Sequence, residues 1–193
     1  MRLDILNRGY RPGTKLLFAL IRIMSGRPLP DAAKLVFYRP DFYGARAKEF
    51  THEAMRGPSA WTVGDRELMA AYVSKVNDSA FCIGAHTATA SQAYRDGPRV
   101  AAVLADLDSA PVEEPLRATL RMLGKLTAEG KLSPGDMREV LAAGVSAEQV
   151  EDALAVCAAF NTTDRLADAF GFEVLTPEGF AAGAKYLLKR GYR

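Results

Sequence analysis

The chain has 193 residues, 49% hydrophobic and 25% charged, enough to bury a core and expected to form one domain over residues 1–193. A net charge of only +2, with no arginine-rich stripe interleaved with aromatics, argues against a nucleic-acid partner. Two widely separated cysteines make no disulfide scaffold, so a reducing cytoplasm is the expected compartment.

Residues 1–30 read as an N-terminal helical extension of that domain. Their most apolar stretch, Leu16 to Met24, is about one third to one half as long as a membrane span and contains Arg22. It lacks a small-residue cleavage site, so it reads as a core helix and no membrane partner is expected. Pro28-Leu-Pro30, Arg39-Pro40, Gly57-Pro58 and Gly97-Pro98 read as turns. Between Pro40 and Pro58 one helix carries Phe42, Tyr43, Phe50 and His52. A second begins after Thr62, with Asp65 in its first turn, and runs to about Val76. Asn77, Asp78 and Ser79 all suit an N-cap, so a new helix starts there with Cys82 in or near its first turn.

Farther on, Leu116, Leu120 and Leu123 with Met122 and Leu126 form one helical stripe, and Val150, Leu154, Cys157 and Ala158 another. Ser133-Pro-Gly-Asp136 and Thr176-Pro-Glu178 open helices, Ser146-Ala-Glu-Gln149 is a capping box, and Gly144 and Gly171 are stops. No window alternates with period two, which predicts an all-α helical bundle.

Cys82 and His86 lie four residues apart, on one face of a helix, where thiol and imidazole can meet. A thiol needs a base to become the reactive thiolate, histidine suits that task near neutrality, and a helix start favours the anion. Each residue also has a plainer reading. Cys82 could be a small buried hydrophobe, and His86 an interior histidine bonded to backbone or carboxylate. Glu67 could be a solvated glutamate paired with Arg66 or Lys75, and Ser79 an N-cap accepting the Cys82 N–H. Cys157 reads as core, His52 as structural, and Asn161, Arg165 and Asp168 as a structural or intersubunit polar seam. A zinc site from Cys82, His86, His52 and Glu67 lacks a second ligand pair at metal spacing, so no metal is expected. No flavin, haem or nucleotide motif implies an organic cofactor, and none is expected.

Beyond these motifs the chain resembles the peroxidase-related branch of the alkylhydroperoxidase D and carboxymuconolactone decarboxylase family. The resemblance rests on Arg56-Gly-Pro-Ser, on the run from Asp65 through Glu67 to Asn77, and on Phe81-Cys82-Ile-Gly-Ala-His86. Ala110-Pro-Val-Glu-Glu, Lys125-Leu-Thr, Ala143-Gly-Val-Ser and the run from Phe160 through Arg165 to Asp168 continue it, so it covers about residues 30 to 175. It implies a helical bundle that assembles as a homo-oligomer, a trimer or hexamer, with the aromatic helices around Phe37, Tyr38 and Phe42 available for contacts. It also implies that Cys82 attacks a hydroperoxide while Glu67 and His86 relay protons. The family's first, resolving cysteine falls on Ser79. A serine closes no disulfide, so an oxidised Cys82 would need an external thiol or a redox protein as reductant.

Three functions follow. The first is a thiol-dependent, peroxidase-like antioxidant oxidoreductase working by a one-cysteine mechanism on alkyl or hydrogen peroxides. The second is a decarboxylase-like proton-transfer enzyme that uses His86 and Glu67 and dispenses with Cys82. The third is a non-catalytic oligomeric binding or redox-sensing protein.

Overall fold

The computed structural model describes residues 5–38 and 40–192, and every regular element among them is helical. The helices are α1 (Ile5–Arg8), α2 (Pro12–Ser25), α3 (Asp31–Phe37), α4 (Ala45–Arg56), α5 (Val63–Val76), α6 (Ala80–Tyr94), α7 (Gly97–Ala105), α8 (Glu114–Glu129), α9 (Pro134–Ala142), α10 (Ala147–Phe170) and α11 (Pro177–Arg190). A π-helical turn, Pro40–Gly44, leads directly into α4, so the helix expected between Pro40 and Pro58 is present with a wider first turn. Arg39 and the side chains of Phe42 and Tyr43 lie outside the described part of the structure.

Local chemistry starts these helices where the sequence places their caps. Thr62 with Asp65, Ser133 with Asp136 and Ser146 with Gln149 form reciprocal capping boxes, and Thr176 accepts the Gly179 N–H. Gly171 ends α10 in the left-handed conformation. Gly97-Pro98 is not a turn: Asp96 caps the Arg99 N–H, and the dipeptide forms the first two residues of α7, where a proline lacks nothing the helix needs.

Helix α5 is the centre of the bundle. Leu68, Met69, Ala70, Ala71 and Val73 are completely buried and so is Glu67, as expected of a helix covered on all sides. It packs against α6, α8 and α10, and α6 is backed by α11. The main core gathers Met55, Leu68, Leu120, Leu123, Val156 and Phe160. A second cluster, around Leu35, Phe81, Cys82 and Phe172, joins α3 to the starts of α6 and α11. Gly84 lets α11 come close to α6, since a Cβ there would stand 2.4 Å from the Phe180 ring. On α10 the buried stripe runs through Val150, Ala153, Cys157 and Phe160, whereas Ala158 is exposed.

The stretch Leu16–Met24 is helical but is not core. Leu16, Ile23 and Met24 are 63%, 78% and 87% exposed, because only the face carrying Phe18 meets the protein, through Tyr10 and Phe37. Among the described residues no helix is long and apolar enough to cross a membrane.

Candidate functional site

The turn between α5 and α6 sets up the site. Asp78 adopts the left-handed conformation at φ 56°, the Ser79 N–H reaches the Ser74 carbonyl and the Asp78 N–H reaches that of Lys75. This pairing ends α5 and starts α6 at once, with Ser79 at the N-cap position and Cys82 in the first turn. Ser79 does not cap with its side chain: its hydroxyl donates to Asp168 Oδ1 at 3.0 Å instead of accepting the Cys82 N–H. The Asp168 carboxylate of α10 outcompetes a local amide, as charge-assisted bonds do.

Glu67 is fully buried yet has three donors. Arg56 Nη2 on α4 reaches Oε1 at 2.6 Å, the Tyr192 hydroxyl reaches the same oxygen at 2.9 Å, and His86 Nδ1 reaches Oε2 at 2.7 Å. The local pairing with Arg66 or Lys75 is not what forms. Arg66 donates to the Ala54 and Gly57 carbonyls and Lys75 to that of Leu104. Burial pushes the Glu67 carboxyl up, but His86 and Arg56 outweigh it and hold it below the usual glutamate range. Since an ionised carboxylate only accepts, Nδ1 carries the proton and Nε2 is the nitrogen left for chemistry. Nε2 makes no hydrogen bond among the described residues. Phe160 packs edge-on to the imidazole with centroids 4.3 Å apart, fixing its plane.

Cys82 belongs to the other end of this face. Cys82 is 1% exposed, with the Asp164 carboxylate and the Ser79 hydroxyl among the groups that act on its thiol; no hydrogen bond joins it to His86 among the described residues. Asp164, also fully buried, accepts from Ser74 at 2.8 Å and from Asn77 at 2.8 Å. Burial pushes the Cys82 thiol up, and the Asp164 carboxylate pushes it further, while the Ser79 hydroxyl pulls the other way. The helix start therefore does not produce a resting thiolate: desolvation and a facing carboxylate exceed the dipole. Burial likewise raises the Asp164 carboxyl against the pull of its donors.

The remaining residues fall around these two centres. Cys157 is core, as expected, with Thr127 and Asn161 against its sulfur. Asn161 accepts from Asn77 and Arg165, and Asp168 holds Ser79, so the polar seam of α10 lines the Cys82 end of the site. His52 accepts the Tyr192 N–H at 3.2 Å. Sequence reasoning missed Asp164, Arg56 and Tyr192 as site residues. Asp164 and Arg56 lay within matched motifs and carried charge, whereas nothing local marked Tyr192. No group of three or more His, Cys, Asp or Glu among the described residues is placed to hold a metal ion. Two surface clefts, one along α4 and α10 at Phe50 and Thr162, the other around Tyr94 and Arg99, touch none of Cys82, His86, Glu67 or Ser79.

No protein-family model matches the chain, and no curated protein sequence does. Solved structures do. An uncharacterized peroxidase-related protein from Silicibacter sp. TM1040 superposes with a TM-score of 0.77 at 21% identity, covering 93% of each chain. An uncharacterized peroxidase-related protein from Ralstonia eutropha JMP134, described as an alkylhydroperoxidase AhpD core, gives 0.70 at 21% identity over 91% of this chain and 92% of that one. A variant of the debrominase Bmp8, in complex with 2,3,4-tribromopyrrole, gives 0.70 at 16% identity over 95% of both chains. The chain thus has the all-helical fold of the alkylhydroperoxidase D core.

Proposed function

We propose that the chain is a member of the peroxidase-related branch of that family, a single domain over residues 1–193 with residues 1–30 as an extension, and a thiol-dependent peroxidase-like oxidoreductase. Supporting the reading above all is the buried Glu67–His86 pair, whose free imidazole nitrogen sits one helical turn beyond Cys82. In the first step the Cys82 sulfur attacks one peroxide oxygen and the O–O bond breaks. The alcohol leaves with the thiol's proton, relayed by His86, and Cys82 becomes a sulfenic acid. An external thiol then displaces water to form a mixed disulfide, and a second thiol releases Cys82. Ser79 takes no part in that reduction; it offers its hydroxyl to the sulfur or to Asp168. The assembly is a homo-oligomer, a trimer or hexamer, in the cytoplasm.

The test times the oxidation of Cys82 by intact-protein mass spectrometry with a sulfenic-acid trap, after adding an equal concentration of an organic hydroperoxide. Oxidation within seconds, lost in His86→Ala, is the expected result. Oxidation no faster than that of an ordinary small thiol would overturn the reading.

One observation favours a second function. The Cys82 thiol is held protonated while His86 is bound to Glu67 and not to sulfur, an arrangement that suits proton transfer through His86 without any thiolate. A Cys82→Ser variant separates the two, because peroxide reduction must vanish whereas decarboxylase-like acid–base chemistry survives. A binding or redox-sensing protein would show neither turnover.

A further inference from the structure

Tyr192 lies 125 residues along the chain from Glu67, on the turn that follows α11, and reaches both Glu67 on α5 and His86 on α6. We infer that Tyr192 is a positioning residue for the Glu67–His86 pair: its phenol fixes Glu67 Oε1 and leaves Oε2 aimed at His86 Nδ1. The inference deepens the proposed function and rests on it for the use of His86, although the geometry stands apart from any turnover.

Contacts with four residues build this placement. The phenol donates to Glu67 Oε1 at 2.9 Å and lies 3.5 Å from His86 Nδ1. Its ring lies nearly parallel to the imidazole, 16° apart with centroids at 6.4 Å, and the Arg56 guanidinium sits 5.1 Å from its centroid. The backbone N–H of Tyr192 is received by His52. His52 and Arg56 are one turn apart on α4, so a single helix face grips both the backbone and the ring of this residue.

The turn that delivers Tyr192 is also specific. Gly191 has φ +66°, and a Cβ there would stand 2.7 Å from the His52 ring. Only glycine passes this point without displacing the imidazole that holds Tyr192. Arg56 and Tyr192 share one oxygen of Glu67, which prevents the carboxylate from rotating about its last torsion. A carboxylate held by Arg56 alone could turn and give up the bond to His86.

The experiment reads the His86 Nδ1–H resonance by NMR on the 15N-labelled full chain at rest, assigned through its loss in His86→Gln. In Tyr192→Phe, which keeps the ring over Arg56 but removes the donor, the resonance shifts and exchanges with water about ten-fold faster, the size of one net hydrogen bond. Site-specific 3-fluorotyrosine at position 192, a stronger donor, shifts it in the opposite direction and keeps the proposal testable if the phenylalanine variant folds poorly. An unchanged resonance in both proteins overturns the inference. Because no peroxide is present, an inert Cys82 would sink the peroxidase reading while the spectrum still decides the part played by Tyr192.

Discussion

Burial and Asp164 together set how much of the Cys82 sulfur is nucleophilic. Asp164 lies fully buried against the thiol, and its charge adds to desolvation in holding the proton on sulfur. Ionising Cys82 would put two anions in one dry space, where like charges repel most strongly. Asp164→Asn removes the carboxylate but keeps its volume. Iodoacetamide should then alkylate Cys82 at least about ten-fold faster at pH 8, because each unit by which the thiol's pKa falls raises the thiolate fraction ten-fold. An unchanged or slower rate, followed by mass spectrometry, would mean that burial alone protects the sulfur. Glu67 behaves differently because it is matched by the Arg56 cation. Glu67→Ala would leave Arg56 buried without its anion at a cost of about 3–5 kcal/mol, measured by urea unfolding. A loss under 1 kcal/mol would show that water takes the place of the carboxylate.

At the level of elements, the close approach of α6 and α11 depends on Gly84. A Cβ at this position would stand 2.4 Å from Phe180, whose ring packs against Phe81 just ahead of Cys82. Gly84→Leu gains helix propensity of about 1 kcal/mol but overpacks the contact by more, for a net loss of about 1–3 kcal/mol in urea unfolding. A variant as stable as the unmodified chain would mean that α11 moves aside freely. The helices themselves were legible in the sequence because their signals are local: Thr62, Ser133, Ser146 and Thr176 meet partners three residues away. A helix start among Asn77, Asp78 and Ser79, with Cys82 in or near its first turn, was legible from residue type, although Ser79 makes no side-chain cap. Which face of a helix meets which neighbour was not. The apolar run of α2 reads as core by composition, yet it is exposed because only the Phe18 face finds partners. The partners of Glu67 were hidden likewise, since they come from 11, 19 and 125 residues away along the chain. The hydroxyl of Ser79 was misread because a carboxylate 89 residues away competes with the local amide.

For the molecule as a whole, the two fully buried carboxylates of the site pull the acid side of its stability curve in opposite directions. Glu67 is held below its ordinary value of 4.5, so its contribution is fully present above that value and is lost as the pH falls through the depressed range. Asp164 is held above its ordinary value of 3.8, so folding takes up a proton there and the native state gains as the pH falls toward that value. Between neutrality and mild acid the Asp164 gain comes first, and only further acidification draws on Glu67. Replacing either group with its amide isolates the other. Glu67→Gln should have a lower melting temperature than the unmodified chain at pH 7 and a gap that narrows toward pH 3, because the acid-labile contribution is already gone. Asp164→Asn should instead lose the rise on mild acidification, leaving a curve that is flat and then falls. Melting curves recorded from pH 3 to pH 8 decide the matter: two variants that run parallel to the unmodified chain would mean that neither carboxylate's ionisation is coupled to folding, and that surface groups set the acid limit of the bundle.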